Sequence, residues 1–229
     1  MYLFLLRKKP QEQELLWDRI KEKNNEKYGA LLASLSEYIF ASGKKNYDER
    51  VATSLLIYNL LLYLKTEGVI KRVGVLKKTP SGKPYLDGGE INISISHTED
   101  LITVAASMEH EIGVDAEQEI PGERAAKLES RFFSDFDLPE GNMASKRCGV
   151  KDKDIEIFEL FEVGFERVEM AVADSSFTKK WTLAEAIMKC EGDGFSALHR
   201  LSDLAEEMTL FSFVYDLDGK NVYISLALK

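Results

Sequence analysis

Three strand patterns follow one another within residues 91–118, which read INISISHTEDLITVAASMEHEIGVDAEQ. At residues 91–96, isoleucine alternates with asparagine and serine, which is typical of a β-strand with one buried face. Residues 101–107 and 111–117 predict two more strands. A long apolar segment at residues 47–66 precedes them and predicts a buried helix, so we expect a helix combined with a β-hairpin.

The same order of helix and hairpin recurs in the second half of the chain. Residues 181–190 predict a helix, and residues 209–228 predict two strands joined by an Asp-Gly turn. The recurrence indicates two similar α+β units. We therefore divide the chain into residues 1–112 and residues 113–229.

The remaining segments carry weaker signals. Helical spacing of apolar residues at 11–27 and 31–40 predicts two further helices. Residues 79–89 are rich in glycine and proline, which predicts a loop. Residues 138–176 mix apolar pieces with a charged stretch, and no role is assigned to them.

The chain has 229 residues with 30 basic and 39 acidic side chains, a net charge of −9. This charge argues against a general nucleic-acid binder or a protein that binds anionic membranes. The charge is uneven, because residues 44–83 contain nine basic and only three acidic side chains. Such a run is either a solvated surface or a site for an anion.

The cysteine content and the start of the chain indicate the compartment. Cys148 and Cys190 are too few for a disulfide framework and fit a reducing environment. The apolar residues 1–6 predict a strand rather than a signal peptide, because the basic residues 7–9 follow them. No run of about 18 apolar residues predicts a transmembrane helix. We therefore expect a cytoplasmic protein without a membrane partner.

Two carboxylates on the third strand would form a metal site with a carboxylate of the helix at 181–190. Asp115 and Glu117 are two residues apart, so a strand places both on one face. Together with Glu185 they would supply the oxygen ligands that Mg²⁺ prefers. Lys189 follows Glu185 by one helical turn, a spacing that is also typical of a surface ion pair. Solvent-exposed acidic residues without a metal are the alternative.

Five short blocks occur in a fixed order along the chain. They are GKP at 82–84, NISISH at 92–97, GVDAE at 113–117, RFFS at 131–134, and WTLAEAIMK at 181–189 followed by GDGFS at 192–196. In this order the blocks resemble those of the 4′-phosphopantetheinyl transferases of the two-domain, Sfp-like type.

The resemblance implies a fold and a reaction. Two similar α/β subdomains, each a three-stranded antiparallel sheet crossed by a long helix, would pair about a pseudo-two-fold axis, with coenzyme A in the cleft between them. Such enzymes transfer the phosphopantetheine arm of coenzyme A to a serine of an apo acyl or peptidyl carrier protein. The other product is adenosine 3′,5′-bisphosphate.

The resemblance also implies roles for individual residues. Asp115, Glu117 and Glu185 would bind Mg²⁺. Glu185 would also be the general base, acting directly or through a water, and Lys189 would hold the phosphates. The residues expected to bind coenzyme A are Lys44, Lys45, Arg50, Lys83, Pro84, Ser96 and His97. The first three of these and the histidine would meet the 3′-phosphate, whereas the Lys-Pro pair would approach the adenine.

Three departures from the family pattern occur. Ala184 stands where the family has lysine or arginine, Ile95 is inserted ahead of Ser96 and His97, and the stretch between residues 134 and 181 is longer than usual. Ala184 and the long stretch leave open a non-catalytic relative that binds coenzyme A or a carrier protein. An unrelated Mg²⁺-dependent phosphohydrolase that uses the same carboxylates is another alternative.

The identity of the carrier stays open among those of fatty-acid, polyketide and nonribosomal-peptide synthesis. Two halves in one chain lead us to expect a monomer. Residues 114–229 carry a net charge of −10, so an acidic carrier is expected to approach the more basic first half.

Overall fold

The computed structural model describes residues 1–41, 43, 46–133, 154–161, 164–174 and 176–229. Its elements in chain order are β1 (Tyr2–Arg7), α1 (Pro10–Phe40), α2 (Tyr47–Thr66), β2 (Val75–Lys78), β3 (Pro84–Asp87), β4 (Asn92–His97), β5 (Leu101–Ser107), β6 (Ile112–Gln118), α3 (Gly122–Phe132), β7 (Glu156–Phe161), β8 (Gly164–Arg167), β9 (Ala171–Val172), α4 (Phe177–Glu191), a 3-10 helix (Gly194–Arg200), α5 (Leu201–Glu207), β10 (Thr209–Leu217) and β11 (Lys220–Leu228). The fold class is α+β, as predicted. None of the helices in these ranges has both the length and the apolar character that crossing a bilayer requires.

The first sheet combines strands from both halves of the chain. Within the described residues it has five strands in the order β4-β5-β1-β7-β8. β1 lies at its centre, antiparallel to β5 and parallel to β7. The expectation of three antiparallel strands in each half is therefore wrong. The apolar pattern identifies a buried strand, but it does not identify the strand beside which it lies.

The helix α2 is the centre of the first hydrophobic core. Leu56, Leu60 and Leu61 are fully buried, because α1 packs on one side of the helix and the first sheet on the other. The two helices predicted at 11–27 and 31–40 form the single element α1, which is kinked at Tyr28, where the backbone leaves the helical conformation.

The second sheet lies entirely in the second half of the chain apart from the start of β6. Among the described residues its order is β6-β11-β10-β9. The β10–β11 hairpin turns at Asp218 and Gly219, whose φ angles of 55° and 81° are those of the predicted tight turn. α4 packs across β6 and β11.

A small ribbon of β2 and β3 corrects one prediction. Residues 79–89 are not only a loop, because Pro84–Asp87 pairs with Val75–Lys78 in an antiparallel ribbon. Four residues are too few to show a strand period between glycines and prolines. The ribbon holds the GKP block beside β4.

Gly113 allows β6 and α4 to approach each other backbone to backbone. A Cβ atom at this position would overlap the carbonyl oxygen of Ala186 and lie 2.5 Å from the backbone nitrogen of Cys190. Both atoms belong to the main chain of α4, so no side-chain rotation relieves the overlap. β6 and α4 carry the four residues predicted for the metal and the phosphates, and this contact fixes the distance between them.

We expect Gly113→Ala to lower the free energy of unfolding by about 3 kcal/mol, the upper part of the usual range for an overpacked core. Urea unfolding followed by far-ultraviolet circular dichroism measures this change. Gly122→Ala is the matched control, because a Cβ there meets no atom within 4 Å. An unchanged unfolding midpoint for Gly113→Ala would contradict the close approach of β6 and α4.

Candidate active site

A pocket of about 310 Å³ lies between the β2–β3 ribbon, β4 and the C-terminal end of α4. This volume is within the range of about 300–1,000 Å³ that is usual for small-molecule sites. The basic side chains on its wall are Lys78, Lys83, His97 and Lys189, and no carboxylate is among the described residues that line it. The pocket therefore suits an anionic ligand.

Two serines of β4 join the two sheets beside this pocket. The Ser94 hydroxyl accepts a hydrogen bond from the Val114 backbone N–H at 3.0 Å, and the Ser96 hydroxyl accepts one from Ala116 at 3.1 Å. β4 and β6 belong to different sheets, so the hydroxyls take the place of strand carbonyls as acceptors. The polar face of the first strand pattern is therefore buried against the other sheet.

Ser96 also contacts the predicted metal ligand Asp115 and the predicted phosphate ligand Lys189. Its hydroxyl donates to Asp115 Oδ1 at 2.9 Å. Lys189 Nζ lies 2.6 Å from the same carboxylate oxygen and 3.1 Å from Ser96 Oγ. Lys189 of α4 thus pairs with Asp115 of β6. Among the described residues, Lys189 forms no ion pair with Glu185.

Glu185 is a half-buried carboxylate without a hydrogen bond or ion pair to any described residue. Burial and the neighbouring Asp115 raise the pKa of Glu185 to about 7. Burial also raises the pKa of Glu117; Arg124 opposes this effect and Asp115 adds to it. A half-buried carboxyl group that titrates near neutral pH is suited to accept a proton.

The chemistry of these three carboxylates fits Mg²⁺. Asp115 acts on the pKa of both Glu117 and Glu185, so the three groups lie within electrostatic range of one another. Their oxygens are the ligands that this ion prefers. However, no three His, Cys, Asp or Glu side chains in the described ranges converge as a preformed metal site. The magnesium site remains a prediction.

Lys83 of the GKP block is bound to the end of α4. Its Nζ donates to the Cys190 carbonyl at 2.7 Å and to Glu111 Oε2 at 2.8 Å. Cations are favoured at this end of a helix by its unpaired carbonyls. Gly192 ends α4 in the left-handed conformation, with a φ of 88°. Lys83 therefore fixes the position of Pro84, which lines the pocket beside it.

Arg50 belongs to a cationic pair that the sequence patterns did not reveal. Its guanidinium carbon lies 4.8 Å from the ring centre of Tyr38, and its Nη1 donates to the Tyr38 carbonyl at 2.6 Å. Lys78 Nζ lies 5.0 Å from the same ring. Burial and then Arg50 lower the pKa of Lys78. Neither cation has a carboxylate partner among the described residues, so an anion here would be attracted by both.

His97 is held at the pocket wall by a residue of α2. Its Nε2 lies 3.0 Å from Glu49 Oε1, and this hydrogen bond is the main cause of the lowered pKa of Glu49. Lys8 Nζ lies 3.6 Å from the other oxygen of the same carboxylate. The predicted coenzyme ligands Lys44 and Lys45 lie outside the described residues, so their role stays a prediction.

Phe132 and Phe133 of the RFFS block pack against Trp181 of the WTLAEAIMK block. The rings of Phe132 and Phe133 meet Trp181 edge-on at 6.2 Å and 5.7 Å between ring centres. Ala184, which stands where the resembling sequences have lysine or arginine, is fully buried in the same core. It therefore contributes to packing. A lysine at this position would place its charge among apolar side chains.

We expect Ser96→Ala to lower the free energy of unfolding by about 1–3 kcal/mol, because the buried Ala116 N–H would lose its acceptor. Urea unfolding is again the measurement. Ser130→Ala on the exposed side of α3 is the control, with an expected change within about 0.5 kcal/mol. Equal midpoints for the two variants would show that the hydroxyl does not hold the sheets together.

Comparison with models of known protein families gives no match for this chain, and comparison with curated protein sequences gives none either. The family resemblance therefore depends on the five sequence blocks and on the contacts between them.

Proposed function

We propose that this protein transfers the 4′-phosphopantetheine group of coenzyme A to a serine hydroxyl of an apo carrier protein, in a Mg²⁺-dependent reaction that releases adenosine 3′,5′-bisphosphate. One observation carries the proposal: a pocket lined by basic side chains adjoins three carboxylates on β6 and α4. This is the combination that transfer of a phosphoryl group needs, because catalysis there is mainly positioning and neutralisation of charge.

The basic side chains of the pocket would bind the phosphates. Arg50 and Lys78 would take the 3′-phosphate, and His97 would lie at the edge of this site. Lys189 would exchange Asp115 for an oxygen of the pyrophosphate and stabilise the departing phosphate. Mg²⁺ held by the carboxylates would neutralise the charge that develops on the pyrophosphate oxygens.

The reaction forms one bond and breaks another at a single phosphorus atom. The serine Oγ bonds to the phosphorus next to the pantetheine, and the bond from this phosphorus to the bridging oxygen breaks. The bridging oxygen leaves with the adenosine bisphosphate. Glu185 would accept the serine proton, since it is a half-buried carboxylate with no hydrogen-bond partner among the described residues.

A non-catalytic relative that binds coenzyme A is the second candidate. One contact favours this candidate. The ammonium group of Lys189 forms an ion pair with Asp115, a proposed metal ligand, and so occupies an oxygen that Mg²⁺ would need. Calorimetry with coenzyme A distinguishes the two candidates. Tight binding without transfer to any carrier would support the second, and transfer would exclude it.

Mass spectrometry of apo carrier proteins incubated with the protein, coenzyme A and Mg²⁺ tests the proposed transfer. We expect a mass increase of one phosphopantetheine group that a chelator prevents. No increase with acyl and peptidyl carriers of several kinds would overturn the proposal. Phosphate or nucleotide released without a carrier would instead support a phosphohydrolase.

We expect Glu185→Gln to lower the rate of carrier loading by about 10²- to 10⁴-fold, the usual contribution of a general base. The thermal midpoint should not fall, because the change removes a partly desolvated carboxylate. Glu206→Gln, on the exposed side of α5 in the same half of the chain, is the control and should load at the normal rate. Loading by Glu185→Gln at the normal rate would exclude the proposed base.

We expect Lys78→Met to raise the KM for coenzyme A about 10-fold, because a charge-assisted contact with the 3′-phosphate would be lost. The KM for dephospho-coenzyme A, which lacks this phosphate, should not change. Lys77→Met is the matched control, since the adjacent Lys77 pairs with Asp87 on the other side of the ribbon. Equal effects on both substrates would place the 3′-phosphate elsewhere.

A further inference from the structure

The aromatic ring of Tyr38, which lines the pocket, lies close to two cations. The guanidinium carbon of Arg50 is 4.8 Å from the centre of the ring, and Lys78 Nζ is 5.0 Å from it. Both distances are within the range of about 6 Å over which the negative face of an aromatic ring attracts a cation. The three side chains come from α1, α2 and β2, so the ring connects elements that are far apart in the sequence.

The ring offsets the repulsion between these two cations. Burial and, after it, Arg50 lower the pKa of Lys78, so the cations act on each other. Neither of them has a carboxylate within 4 Å among the residues that the structure describes. Tyr38 attracts both without neutralising either, and their positive charges therefore stay available to a ligand.

Tyr38 is itself held in place at the end of α1. Its half-buried side chain packs against the first hydrophobic core, next to the fully buried Leu35 and Ile39 on the same helix. Arg50 Nη1 donates to the Tyr38 carbonyl at 2.6 Å, and this hydrogen bond connects the end of α1 to the start of α2. The ring is thus a fixed part of the pocket wall.

A terminal phosphate matches the charge of this pair of cations. A phosphate with a single ester bond carries a charge of about −1.5 to −2 at pH 7 and has three oxygens that accept hydrogen bonds. A phosphate esterified on both sides carries less charge and would leave one cation unbalanced. Arg50 and Lys78 together therefore favour a ligand with a terminal phosphate.

We propose that Tyr38 is a positioning residue that makes the protein prefer a substrate with a terminal 3′-phosphate, because its ring holds Arg50 and Lys78 close together as a receptor for the dianion. This inference rests on the proposed function and adds to it a residue that belongs to none of the five sequence blocks. Tyr38 acts through the two cations, not on the reacting atoms. Without the ring, the cations would repel each other and turn apart towards water.

The test is calorimetry with coenzyme A and dephospho-coenzyme A, which differ only in the 3′-phosphate, in the absence of a carrier protein. We expect Tyr38→Leu to weaken binding of coenzyme A about 10-fold, because two cation–π contacts are lost. Binding of dephospho-coenzyme A should not change. Tyr38→Phe keeps the ring and should bind both compounds as the wild-type protein does, a rescue that a role of the hydroxyl would not give.

The matched control is Tyr28→Leu. Tyr28 is on the same helix, and its ring also lies near two cations, Lys27 at 5.2 Å and Lys65 at 5.6 Å. It is not among the described residues that line the pocket, so its variant should bind coenzyme A normally. Equal losses in the two leucine variants, or a loss in Tyr38→Phe as large as in Tyr38→Leu, would overturn the role of the ring. Tyr38→Gln, which also removes the ring, replaces Tyr38→Leu if that variant does not fold.

Binding without a carrier also separates this inference from the function on which it rests. A preference for coenzyme A that the wild-type protein shows and Tyr38→Leu loses supports the role of Tyr38, whether or not transfer occurs. Transfer by the wild-type protein, with the preference kept in Tyr38→Leu, overturns the role of Tyr38 alone. Neither transfer nor binding of coenzyme A by the wild-type protein overturns both.

Discussion

The bonds from two serine hydroxyls of β4 to the backbone of β6 are the constraint on which the site depends. Within the described ranges the two sheets share no strand pairing, and Ser94 and Ser96 provide buried acceptors for backbone N–H groups of β6 instead. Because Ser96 also binds Asp115, the contact that joins the sheets orients a proposed metal ligand. Ser96 of the first sheet and Asp115 of the second sheet therefore lie in direct contact at the site.

The half-buried carboxyl group of Glu185 lowers local stability, and the packing around α4 compensates for this. Glu185 keeps a carboxyl group half-buried without a partner among the described residues, which is unfavourable for the ionised form. Because Gly113 has no side chain, β6 packs closely against α4. The aromatic rings around Trp181 attach α3 to the same helix. These contacts leave α4 little freedom to turn Glu185 towards water.

Local patterns in the sequence predicted α2, β4, β5, β6 and α4, because each buries a regular set of side chains. The pairing of β1 with β7 was not predictable. β1 is a short apolar run without alternation, whereas β7 contains Glu156 and Glu159 among its six residues. Neither pattern indicates which strand lies beside it. The carboxylates of β6 and α4 were predicted from the sequence blocks. Tyr38 and Lys78 were not, since they come from α1 and β2 and meet only in the folded chain.

The central place of β1 in the first sheet has a consequence for synthesis of the chain. Its pairing with β5 becomes possible early, but Tyr2 is opposite Glu156 in the register with β7. During translation one edge of this apolar strand therefore keeps free backbone hydrogen-bonding groups until residues 156–161 have been made. An unpaired strand edge of this kind can form hydrogen bonds with other chains and so promote aggregation. The first half of the molecule thus completes its sheet only after the polypeptide that follows it has emerged from the ribosome.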